Sequence, residues 1–197
     1  MSGPATFAAR WAEAVAAAPD RPFLAFEAPS GAVTRWTYGE FDDVVARAAG
    51  ALASRGVEHG CAVHLTLTNC PAFVAAWLAA ARLGAWIVPS DPGSTAPELA
   101  GHIDRTKPVV GLCGAARAAV YREAASGVDV IEVDEADALV PLDGAPVTTA
   151  VAAPRDRLAV MFTSGTTSAP KGVEVTQANY AFAGDVMAAA ATLRTDD

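Results

Sequence analysis

Within residues 163–168, Thr163, Ser164, Thr166, Thr167 and Ser168 each carry a hydroxyl, and the sixth residue, Gly165, has no Cβ. Lys171 follows between Pro170 and Gly172. Such a stretch offers neutral donors, exposed backbone N–H groups, a stiffened far side at Pro170 and one point charge. That is the inventory a triphosphate needs. It differs from a Walker A loop, which places Gly directly before the Lys and Ser or Thr directly after it. A Ser/Thr/Gly/Pro loop between strands is ordinarily only a turn, so its meaning rests on the order of its residues and on what flanks it.

The flanks are two strand patterns and a helix start. Leu158-Ala159-Val160-Met161-Phe162 is a continuous apolar run, as a strand buried on both faces requires. Val173-Glu174-Val175 alternates, and Thr176 can cap a helix running through Tyr180 to about Leu193. Upstream, residues 6–18 read as a helix. A hairpin follows over 23–26 and 33–36, turning at Pro29-Ser30-Gly31. Thr37 and Glu40 form a capping-box pair that starts a helix over 38–54, which Gly56 ends. Strand-like and helix-like segments then alternate through 62–67, 72–83, 86–88, 97–105, 109–113, 117–125 and 130–133. The implied class is α/β, a largely parallel sheet with flanking helices. Residues 1–134 read as a first α/β subdomain portion and 135–156, with Pro141, Gly144, Pro146 and Pro154, as a linker. Residues 157–197 then form the loop hairpin and the following helix of an incomplete subdomain. The acids of the linker read as a solvated face.

Composition narrows the partners. Of 197 residues, 14 are Lys or Arg and 22 are Asp or Glu, a net charge of -8 that repels polyanions and argues against nucleic acid. Cys61, Cys70 and Cys113 lie in apolar surroundings without a C-x-x-C pair, which fits a reducing cytoplasm. Residues 1–6 lack the basic start and apolar run of a signal peptide. Residues 71–89 are largely apolar but interrupted by Arg82 and Gly84, so they read as a buried helix and a strand and not as a membrane span. His59, His64 and His102 have no metal-binding spacing, and no metal site is assigned. Trp36, Trp77 and Trp86 read as core.

The order Phe162-Thr163-Ser164-Gly165-Thr166-Thr167-x-x-Pro170-Lys171-Gly172-Val173 closely resembles the signature loop of the adenylate-forming superfamily, which includes acyl-CoA synthetases, luciferases and adenylation domains of nonribosomal peptide synthetases. Trp36-Thr37-Tyr38-Gly39-Glu40-Phe41 looks like that family's first core motif. Gly56-Val57, Gly60 and Asn69-Cys70-Pro71-x-Phe73 resemble the next passage, and Arg82-Leu83-Gly84-Ala85-Trp86-Ile87-Val88-Pro89 looks like the second core motif. Ser168 stands where the family most often has Gly, a variant similar to that of carnitine and crotonobetaine CoA ligases. Gln177 stands where a His commonly follows the Thr.

The resemblance implies the N-terminal portion of the adenylate-forming fold. It also implies that Thr163, Ser164, Gly165, Thr166, Thr167, Ser168, Lys171 and Gly172 line the site for the β- and γ-phosphates of ATP while a small-molecule carboxylate attacks the α-phosphorus. Coenzyme A, or a carrier-protein phosphopantetheine, would then capture the acyl-adenylate. The family's later motifs, for adenine, Mg2+, ribose, the hinge and the C-terminal catalytic Lys, do not occur before Asp197. No catalytic residue is therefore assigned in this chain, and Mg2+ and coenzyme A are expected mainly at the C-terminal part of the enzyme, its partner in the reaction. The alternatives are a carrier-protein adenylation enzyme and a non-catalytic truncated module.

Overall fold

A computed structural model describes residues 5–134, 139–163 and 171–193. Helix α1 (Phe7–Ala17) is capped by Thr6, whose hydroxyl accepts from the Ala9 amide. An antiparallel ribbon, β1 (Pro22–Glu27) and β2 (Val33–Thr37), leads into helix α2 (Tyr38–Ala53). Both capping-box bonds between Thr37 and Glu40 form, so two otherwise orphaned N–H groups at the start of α2 are satisfied.

The remaining strands make one six-stranded sheet. They are β3 (Ala62–Thr66), β4 (Trp86–Pro89), β5 (Val110–Gly114), β6 (Asp129–Val133), β7 (Arg157–Thr163) and β8 (Lys171–Thr176), in spatial order β6-β5-β3-β4-β7-β8. Every pairing is parallel except β7 with β8. Helix α3 (Pro71–Arg82) connects β3 to β4, and α4 (Ala96–Thr106) carries the chain back across β3 to β5. Connections that travel in opposite directions place their helices on opposite faces when both crossovers are right-handed. Accordingly α3 packs with α1 and α2, whereas α4 packs with α5 (Ala118–Ala124). Side chains alternate to match: Val63, Leu65, Ile87 and Ala159 join the helix core built on Phe41, Val45 and Leu52, while Ala62, Trp86 and Val88 point the other way.

The connection from β6 to β7 is pinned across α2 and not slack. Its Val147 amide donates to the Ala46 carbonyl at 2.9 Å, and Val151 donates to Arg82 at 3.0 Å. Two backbones meet where it crosses: a Cβ added to Gly50 would lie 1.8 Å from the Ala145 carbonyl oxygen. Only a residue without a side chain permits that approach. The strap delivers the chain to β7, and Gln177 secures the far end. Its Oε1 accepts from the Ala8 amide at 3.2 Å and its Nε2 donates to the Ala81 carbonyl at 3.4 Å, tying the start of α6 (Gln177–Ala190) to α1 and α3.

One expectation needs correcting. The apolar run of β7 is buried on both sides only at Leu158 and Ala159; Val160, Met161 and Phe162 are half-exposed. Beyond them β8 is an edge strand, exposed through Glu174. Helix α6 turns Phe182 and Met187, each 70% exposed, outward. An uncovered strand edge beside exposed large side chains favours association. In sedimentation velocity the protein should show concentration-dependent self-association that Phe182→Gln with Met187→Gln reduces. A monomer at every concentration would contradict this.

Candidate functional site

The loop identified from sequence joins β7 to β8 at the carboxyl end of a parallel strand. Open α/β sheets bind ligands at those ends, where connections depart to opposite faces. Thr163 and Lys171 are directly opposed in the β7–β8 ladder, and the Thr163 hydroxyl donates to the Lys171 carbonyl at 3.4 Å. Gly172 pairs with Phe162 one step back. Thr163, Lys171 and Gly172, at the mouth of the loop, are all exposed. Ser164, Gly165, Thr166, Thr167 and Ser168 lie outside the described residues.

Beside this mouth opens a cleft of about 550 Å³. Its walls come from the end of β4 (Pro89 with Ser90 and Asp91), one side of α4 (Glu98, His102, Arg105) and the end of β7 (Phe162, Thr163). Phe162 is the floor. The His102 ring stacks on it at 4.0 Å with 4° between planes, and the Arg105 guanidinium lies 4.7 Å from its centroid. A volume of this size suits a small organic molecule or one segment of a longer one.

A polar chain runs behind the cleft that sequence reasoning missed. Tyr121 on α5 bonds to His64 Nδ1 at 2.8 Å, His64 Nε2 to Ser90 Oγ at 2.9 Å, and Ser90 Oγ to His102 Nδ1 at 2.8 Å. The two histidines are 38 residues apart, so no local spacing could reveal them; only their positions on β3 and α4 bring them to the same serine. Burial, reinforced by His102, pushes the His64 pKa down to about 3. His102 is lowered chiefly by burial and then by Arg105, against the opposing pull of Glu98. Burial also raises the Tyr121 phenol. Among the described residues no group of three or more metal-ligating side chains converges. His59 bonds instead to Asp156 at 2.8 Å.

The family model for the AMP-binding enzyme matches residues 11–197. The chain belongs to this family. It is 30% identical over 194 residues to a crotonobetaine/carnitine–CoA ligase of Salmonella agona (strain SL483), covering 90% of this chain and 38% of that protein. The corresponding ligase of Escherichia coli (strain K12 / DH10B) is also 30% identical, with 88% and 37% covered. This member of the family therefore spans well under half the length of the curated relatives it matches. Among solved structures, the N-terminal domain of FACL13 from Mycobacterium tuberculosis superposes with a TM-score of 0.76 at 28% identity, covering 88% of this chain and 44% of that one. VinN superposes with a TM-score of 0.81 at 26% identity, covering 96% and 48%. The α/β architecture is thus that of the N-terminal domain of adenylate-forming enzymes. Among the described residues no helix is long and apolar enough to cross a membrane.

The buried His64 makes stability depend on pH. In the unfolded chain it takes up a proton near 6.5, whereas in the fold it stays neutral down to about 3. Its contribution is complete above pH 6.5 and is lost as the pH falls from there toward 3. By pH 5 the loss is about 2 kcal/mol. Urea midpoints should therefore drop between pH 7 and pH 5, and drop less for His64→Gln. Equal drops in the two proteins would refute this origin.

Proposed function

We propose that this chain supplies the ATP-phosphate loop, and the cleft beside it, of an ATP-dependent acyl- or aryl-CoA ligase working in the cytoplasm. The observation that supports this reading is the pairing of Thr163 with Lys171 at the carboxyl end of β7, with Thr163 also lining the neighbouring cleft. A carboxylate oxygen of the substrate attacks the α-phosphorus and the bond to the bridging oxygen breaks. Pyrophosphate leaves, and the acyl-adenylate forms before the thioester. Lys171 and the hydroxyls of Thr163, Ser164, Thr166, Thr167 and Ser168 neutralise the charge that develops on the departing group, while Gly165 and Gly172 let backbone approach it. Mg2+ adds charge neutralisation and coenzyme A supplies the thiol; in this proposal both are held mainly by residues outside this chain. The sequence relatives named as CoA ligases support the choice of acceptor.

A second reading is a carrier-protein adenylation enzyme. The likeness to VinN, solved in complex with 3-methylaspartate, at 27% identity and a TM-score of 0.79, supports a small carboxylate as the substrate in either reading. The two readings differ in the thiol that accepts the acyl group and not in the phosphate loop.

Lys171→Met keeps much of the side chain's bulk and removes its charge. In the complete enzyme the loss of one charge-assisted contact, roughly 1.5 to 3 kcal/mol, should lower carboxylate-dependent ATP–pyrophosphate exchange about ten- to a hundred-fold with little change in thermal stability. Thr166→Val should act in the same direction. Ser30→Ala, in the β1–β2 turn, should leave exchange near the wild-type rate. Wild-type exchange by Lys171→Met at subsaturating ATP would remove the loop from the mechanism.

A further inference from the structure

The hydrogen-bond chain Tyr121–His64–Ser90–His102 has a direction, and that direction determines which proton His102 offers to the cleft. Tyr121 is 1% exposed, and its hydroxyl has one hydrogen-bond partner among the described residues, His64 Nδ1. A buried hydroxyl hydrogen left without an acceptor is costly. The phenol therefore donates and Nδ1 accepts. Since His64 is neutral, its single proton is on Nε2, which donates to Ser90 Oγ. Ser90 then gives its own hydrogen to His102 Nδ1. The reverse direction would leave the Tyr121 hydrogen without an acceptor.

The surroundings are built for this contact. Tyr121 reaches His64 across Gly111, which pairs with His64 in the β3–β5 ladder; a Cβ at Gly111 would lie 1.9 Å from the phenolic oxygen. His102 is held flat on Phe162, and among the described residues its Nε2 has no hydrogen-bond partner. The cleft lining carries two carboxylates, Asp91 and Glu98, against the single guanidinium of Arg105. Asp91 Oδ1 accepts from the Gly93 amide and Glu98 Oε2 accepts from the Thr95 amide, and two carboxylates on the His102 side of the cleft, away from Thr163, disfavour an anion beside that ring.

We propose that Tyr121, His64 and Ser90 are positioning residues that fix His102 as an Nε2–H donor, and that this donor recognises an uncharged carbonyl or amide oxygen of the molecule occupying the cleft. Such a relay sets specificity through a single tautomer. A molecule presenting an N–H or O–H at that point would meet a donor and be rejected, whereas one presenting a carbonyl oxygen would complete the chain. The inference deepens the ligase reading by naming the chemistry its cleft accepts, but the tautomer it requires can be measured without turnover.

The measurement is a long-range proton–nitrogen NMR spectrum of the 15N-labelled protein at pH 7. With only three histidines in the chain, single His→Gln variants assign every ring. His64 and His102 should each show one neutral tautomer with Nε2 protonated and Nδ1 bare. Tyr121→Phe removes the source of direction at nearly constant shape, so His102 should lose its single tautomer and give averaged or mixed signals. If that variant fails to fold, Ser90→Ala provides the same reading: His102 loses its fixed tautomer while His64 keeps Nε2–H. Adding N-methylacetamide should shift the His102 Nε2–H signal, and acetate at the same concentration should shift it less. Nδ1 protonation of either ring, an unchanged His102 tautomer in the folded variants, or no greater response to N-methylacetamide than to acetate would overturn the proposal. Failure of the ligase reading would appear separately, as wild-type exchange by Lys171→Met.

Discussion

A buried guanidinium at the end of α3 anchors the part of the molecule on which the loop depends. Arg82 is 5% exposed and forms an ion pair with Asp42 of α2. Asp42 Oδ1 also accepts from Trp11 Nε1 of α1 at 2.5 Å, and Arg82 Nη1 donates to the Val147 carbonyl at 3.1 Å. One charge thus connects three helices and the strap that leads to β7. Removing one partner of such a buried pair costs about 3–5 kcal/mol, because the other is left uncompensated. Hydrophobic packing of α2 against α3 would survive that loss better than the strap, whose hold on α3 consists of polar bonds to Arg82.

The two faces of the sheet are stabilised differently. On the helix face, Phe41, Val45, Leu52, Leu65 and Ile87 are fully or almost fully buried, each contributing roughly 1.5–3 kcal/mol. On the opposite face α4 and α5 cover only the β5–β3 side. Over β4 and β7 the apolar strip of Trp86, Val88, Val160 and Phe162 meets cations and a histidine: Arg157 lies 4.5 Å from the Trp86 ring centroid, and Arg105 and His102 lie against Phe162. Trp86 and Val88 are buried in this strip, and the cleft opens at Phe162, which α4 reaches only through the side chains of His102 and Arg105 among the described residues.

Most of the element order could be read from the sequence because its signals are local. The Thr37–Glu40 capping box, the alternation of apolar runs with helix periods and the Thr176 cap all depend on neighbours within a turn. Arg82 and Gly84, read as interruptions of a membrane-like stretch, mark a helix end and a turn before β4. Reading the run 158–162 as doubly buried failed because an apolar run records a side chain's preference but not how far a neighbouring helix extends. The polar relay was invisible for a related reason. His64 in an apolar strand and His102 in an amphipathic helix each look like isolated residues, and only the return of α4 across β3 brings them to Ser90. Gln177 shows the converse. Judged by the family pattern it is a departure, but it is fully buried and its amide holds α6 to α1 and α3.

The last two residues of β7 couple the β7–β8 connection to the relay. Phe162 carries the His102 stack and Thr163 opens the loop opposite Lys171, so both depend on one strand register. Side chains in a strand alternate, and a slip of one residue would turn Phe162 toward the helix core and move His102 off its support. That register is fixed away from the site. Leu158 and Ala159 are fully buried, Ala159 pairs with Ile87 of β4, and the Gln177 amide donates to Asp156 at 2.9 Å just before the strand begins. The exposed end of β7 can therefore present chemistry to solvent because its other end is buried. A core anchored by Arg82 thereby holds Thr163, Phe162 and the stacked His102 at a common cleft.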